Sequence, residues 1–122
     1  MKVITIRQPW ASLIVNGYKE YEFRTWKTNY RGKIGIHAGM ATDKRIKKFK
    51  DYKIDYINGA IIGEAEIVDC ILVDKKVKEE LLAKNYLIYE NSEGYAFVLK
   101  NIVKYDKPVY VKGKLSFWNY EE

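Results

Sequence analysis

The sequence has one cysteine, Cys70, and one histidine, His37, in 122 residues. A lone cysteine excludes an internal disulfide, which fits a reducing, cytoplasmic setting. It also excludes a cysteine-built metal site, and a single histidine makes no zinc cluster, so neither a metal nor a cofactor is expected. Long apolar runs are missing as well. A bilayer span needs about 20 apolar residues, and the best stretch, 59–73, is broken by Glu64, Glu66 and Asp69, so no membrane partner is expected. The opening residues 1–7 carry no signal-peptide core, because the apolar run is interrupted after Ile6. Linkers, repeats and low-complexity segments are absent, and a single domain over residues 1–122 is the expectation.

What is present is charge and aromatic surface. Hydrophobic residues make up 48% and charged residues 31%, a balance that supports a packed core. Eleven of the 18 aromatic residues are tyrosines, whose apolar rings and polar tips suit a core edge or a binding face. The 22 basic and 16 acidic side chains leave a net charge of +6, which favours phosphate-bearing partners by long-range attraction.

Residues 3–7 are β-rich and predict a strand. Pro9 fits the first helical position, and Trp10, Leu13 and Ile14 follow at helical spacing until Gly17 ends the helix. Residues 18–26 predict a second strand and 33–38 a third, with the turn Asn29-Tyr30-Arg31-Gly32 between them. Thr42 or Asp43 caps a helix running to about Lys53, with Ile46 and Phe49 inward. A long strand over 60–73 contains Gly63, which predicts a bulge or a close backbone approach. Asp74 caps a helix bearing Val77, Leu81 and Leu82. Strands over 95–105 and 108–112 close the order, followed by a tail with Leu115, Phe117 and Trp118. Strands outnumber helices and most are not joined by helical crossovers, which predicts an α+β fold around a curved mixed or antiparallel sheet.

Two segments carry candidate chemistry. Arg7, Gln8, Trp10 and Ser12 surround one strand-to-helix junction, where unpaired backbone N–H groups attract anions. Trp10 reads equally as core or as a stacking surface for a base. The second segment, 17–24, packs cations and acids together. Tyr18, Glu20, Glu22 and Arg24 alternate onto one strand face, leaving Lys19 on the other with Tyr21 and Phe23. A lysine beside a carboxylate there is either a fixed ion pair or an amine with a shifted pKa. A third feature is the basic run Lys44, Arg45, Lys47 and Lys48, either a solvated helix face or a phosphate-contacting one. His37 reads as a hydrogen-bonded strand histidine.

Gln8-Pro9-Trp10-Ala11, Gly17-x-Lys19-x-x-Glu22-x-Arg24, Tyr30-Arg31-Gly32 and Ile36-His37-Ala38 together resemble the ASCH domain, which occurs in activating-signal-cointegrator proteins and in small stand-alone microbial and phage proteins. Gly59-Ala60-Ile61-Ile62-Gly63, Gly94-Tyr95-Ala96-Phe97-Val98-Leu99, Val111-Lys112-Gly113 and Phe117-Trp118-Asn119 extend the resemblance nearly end to end. It implies a PUA-like β-barrel with flanking helices, and a cleft at the Gly17–Arg24 motif that binds RNA. Lys19, Glu22 and Arg24 are the implied cleft residues, with Gln8, Trp10 and Ser12 beside them. One branch of the superfamily resembles an amidohydrolase that deacetylates acetylcytidine with a lysine, a threonine three residues later and a central-strand glutamate. Those positions correspond here to Lys19, Glu22 and Glu66, so the hydroxyl nucleophile is replaced by a carboxylate. RNA or a nucleoside is therefore the expected ligand, with an amidohydrolase or a protein-interaction adaptor as alternatives.

Overall fold

The computed structural model describes residues 1–83 and 94–121. Among the described residues, six strands form one mixed sheet. β1 (Lys2–Gln8) leads into a short helix, α1 (Trp10–Val15), and β2 (Tyr21–Arg24) and β3 (Gly32–Thr42) follow. A 3-10 helix (Lys44–Tyr52), β4 (Ala60–Leu72), α2 (Lys75–Ala83), β5 (Tyr95–Tyr110) and β6 (Phe117–Asn119) complete the order. The strands lie side by side as β2-β5-β4-β3-β1-β6. Only the β1–β3 pair is parallel among the described residues. Among the described residues, no helix is long and apolar enough to cross a membrane.

The expected α+β class and mixed curved sheet are present. Hydrogen-bonded pairing leaves the sheet open, and side chains curl it into a barrel-like form. Arg24 on the β2 edge donates from Nη2 to the Thr5 carbonyl of β1 at 2.8 Å, four strands away in sheet order. Phe117 of β6, the opposite edge, meets the rings of Trp26 and Phe97 at 5.3 and 6.1 Å. The resulting trough is filled by α1, whose six residues are all buried. A helix apolar on every side has to be enclosed. Gly63 makes room for it, because a Cβ there would collide with the Val103 carbonyl and lie 2.7 Å from Val15 Cγ1. Pairing registers also jump beside Gly63, so the expected bulge and the expected close approach coincide.

Pro9 sits one residue earlier than expected, at the N-cap. The second strand starts at Tyr21 rather than 18, because the preceding residues finish the helix. The Gly17 N–H bonds to Ile14, and the N–H groups of Tyr18 and Lys19 both bond to the Leu13 carbonyl. Terminal helix carbonyls need such donors. The helix after Asp43 is 3-10 rather than α. Ile46, Phe49 and Tyr52, spaced by three, line up in that geometry, with Phe49 buried and Ile46 half-buried. The two strands expected over 95–105 and 108–112 are one. The register jumps from Ile61↔Val109 to Gly63↔Lys104, which leaves Pro108 in a bulge where its missing N–H is tolerated. Instead, the tail supplies the sixth strand at Phe117–Asn119, paired antiparallel with β1. Asp74 caps α2 through the Val77 N–H at 2.9 Å, and Leu81 and Val77 pack on Phe23 and Ala96. The Leu82 side chain lies outside the described residues.

Candidate functional site

The end of β1, the start of α1, β2 and the 3-10 helix converge on a hollow of about 410 Å3. Three arginines line it, Arg7, Arg24 and Arg45, with the carboxylates of Glu22 and Asp43, the indoles of Trp10 and Trp26, and Thr5, Ile6, Phe23 and Thr25.

Each charge is placed by its element. Glu22 and Arg24 are two apart on β2 and share a face. Arg24 Nε donates to Glu22 Oε2 at 2.9 Å and its Nη2 to Thr5 O. Those bonds engage two of the five guanidinium N–H groups. Arg7 points outward from β1 and is exposed, and no hydrogen bond or ion pair engages it among the described residues. Arg45 is already committed. Its Nε bonds Asp43 Oδ1 at 2.9 Å, and its guanidinium lies over the Trp10 ring at 5.5 Å. Asp43 also caps the 3-10 helix through the Arg45 N–H and accepts from Trp10. The hydrogen bonds from Arg45 hold its carboxyl well below the usual carboxylate range.

Lys19 does not reach the hollow. It is 1% exposed, and its amine stands behind Glu22, 3.5 Å from Oε1, while donating to the Tyr21 carbonyl and lying over the Phe23 ring. Burial pulls its pKa below the usual lysine range, opposed by the attraction of Glu22. The structure thus lines up a buried amine, a carboxylate facing the hollow, and a guanidinium beside it.

Other expected residues lie elsewhere. Gln8 and Ser12 are buried and saturate each other. Gln8 Nε2 bonds Ser12 Oγ at 2.6 Å and the Ile57 carbonyl at 2.8 Å, and Gln8 Oε1 accepts the Ser12 N–H that an anion would have met. Trp10 is 7% exposed and packs edge-on against Phe49, so its ring is chiefly core. Glu66 is not brought to Lys19 and Glu22. Alternation along β4 sets it opposite the core residues Ala65 and Ile67, where Asn101 donates to its Oε1 at 2.8 Å, and it does not line the hollow. Lys44, Lys47 and Lys48 lie on the 3-10 helix next to Arg45, and all three are exposed. His37 is buried and hydrogen-bonded, to Thr5 Oγ1 at 3.2 Å and the Val111 carbonyl at 2.6 Å. Sequence reasoning missed Thr5, whose backbone carbonyl fixes Arg24, and Trp26, which continues the Glu22–Arg24 alternation by one step. No group of three or more His, Cys, Asp or Glu suited to a metal occurs among the described residues.

Comparison with known proteins agrees with this architecture. Activating signal cointegrator 1 from Homo sapiens is 30% identical across 94% of this chain, and the Mus musculus protein is 29% identical across the same share. The chain spans about a fifth of the length of those relatives, 21% in each case. The crystal structure of an ASCH protein from Zymomonas mobilis superposes with a TM-score of 0.61, at 18% identity, covering 89% of this chain and 72% of that one. A mutant of the same Zymomonas mobilis protein gives 0.60, with 89% and 74% covered at the same identity. The family model for the ASCH domain matches residues 4–109, and with the curled sheet and its enclosed helix in place, this chain belongs to the ASCH domain family.

Proposed function

We propose that the chain binds RNA, with Arg7 and Arg24 meeting phosphates in the hollow and Lys44, Lys47 and Lys48 extending it into a basic cleft. The observation that carries this reading is unspent donor capacity. Arg7 has no partner among the described residues and Arg24 engages two N–H groups, yet both face a hollow of about 410 Å3. Guanidinium forks match phosphate geometry. Glu22 and Asp43 line the same hollow, and their negative charge tempers the attraction, so the ligand is held by positioned contacts more than by field alone. Arg7→Gln tests the reading cleanly, because the side chain supports nothing else. Its affinity for a single-stranded oligoribonucleotide should fall several-fold and its salt slope by about one contact. Unchanged affinity for both Arg7→Gln and Arg24→Gln would remove the hollow from the binding surface.

A hydrolytic reading rests on one different observation, the amine of lowered pKa beside a carboxylate that faces the hollow. Glu22 would then act as general base on a water, with Lys19 tuning it. Incubation with acetylcytidine decides this. Product that disappears in Lys19→Met and Glu22→Gln would favour the enzyme, and no product at high protein concentration favours binding alone.

A further inference from the structure

A second hollow, of about 630 Å3, opens on the other side of Thr5. Thr5 lines both: its carbonyl holds Arg24 in the first, and its hydroxyl lies on the floor of the second. The floor is chemically closed. The Val111 carbonyl can only accept, so His37 Nε2 carries the proton of their 2.6 Å bond. His37 Nδ1 and Thr5 Oγ1 share a hydrogen bond at 3.2 Å, and Thr5 Oγ1 accepts the Trp118 indole N–H at 3.0 Å. These polar groups are satisfied among themselves and offer a ligand nothing to read. The mouth is apolar, with Met40 79% and Leu115 93% exposed on its rim. Lys112 and Lys114 flank it, both exposed.

Resting on the RNA reading above, we propose that this second hollow takes an unpaired base of the same strand, whose phosphates run past Lys112 and Lys114 toward Arg24. A flat ring desolvates well against Met40 and Leu115, and thioethers favour aromatic edges. The closed floor makes the pocket tolerant of base identity, and a base buried in it must first leave any duplex. The protein therefore selects single-stranded over double-stranded RNA.

The test compares a single-stranded oligoribonucleotide with a chain of equal length carrying abasic sites, and pairs wild type with Met40→Ala/Leu115→Ala. Both replaced side chains are exposed, so the fold and the net charge are kept. Wild type should bind the base-bearing chain about tenfold more tightly than the abasic one, at the low end of one stacked base, and the double variant should bind both alike. Equal binding of the two chains by wild type, or a preference kept by the variant, overturns the proposal while leaving phosphate binding in the first hollow standing. Binding of neither chain at low salt removes the RNA reading itself, and this inference with it.

Discussion

Lys19 shows most clearly what a single side chain does here. A buried amine held at depressed pKa is more readily protonated in the unfolded chain than in the folded one. The unfolded state then binds more protons between the folded value and about 10.4, so stability rises with pH across that window. Replacing Lys19 with methionine should flatten this rise. Urea unfolding of both proteins between about pH 8 and pH 10 measures it, and parallel curves would mean that the amine is not desolvated. Glu22 and Arg24 were legible in the sequence because strand alternation places residues two apart on one face. Lys19 was legible as a lysine near a carboxylate, but not as the group behind it. Its place depends on helix-ending hydrogen bonds to Leu13, which no spacing rule reveals. Gln8 and Ser12 looked available for an anion because their mutual bond is a matter of rotamers.

At the scale of elements, the most readable features were those set by local chemistry. Thr42 or Asp43 was expected to cap one helix and Asp74 the other, and Asp43 and Asp74 accept the helix-starting N–H groups. Asp43 also pairs with Arg45, and its depressed pKa means that this contribution is present above the ordinary carboxylate range and lost as pH falls below it. Asp43→Ala should cost about 1–2 kcal/mol, measured by chemical denaturation. A loss near zero would show that the 3-10 helix needs no cap. Gly63 was expected to bend the strand or admit a neighbour, and it does both. Gly63→Ala should cost about 1–3 kcal/mol through overpacking against Val15 and the β5 backbone. A variant melting with wild type would mean that α1 shifts freely, against the packing described. What could not be read locally was the union of two expected strands into β5. Pro108 argues for a break until a bulge opposite β4 is known to receive it.

At the scale of the whole molecule, a sheet with open pairing brings its two edges together, so that β2 reaches β1 across four strand positions. The α+β class followed from the order of elements, and the PUA-like form from the resemblance. The contacts that make the curl were not legible, because Trp26, Phe97 and Phe117 lie far apart in the chain and meet only in the folded sheet. That curl has a functional consequence. It gathers Arg7, Arg24 and the 3-10 helix around one hollow, while Glu66 on the far face of β4 is left out of it. The central claim is therefore that this gathering makes a phosphate-binding surface. Its most direct test is the affinity for a single-stranded oligoribonucleotide, followed by fluorescence anisotropy between about 50 and 200 mM salt. About four phosphate contacts on a single strand predict a loss on the order of 50-fold over that range. Affinity independent of salt, or no binding at about 50 mM, would contradict the account.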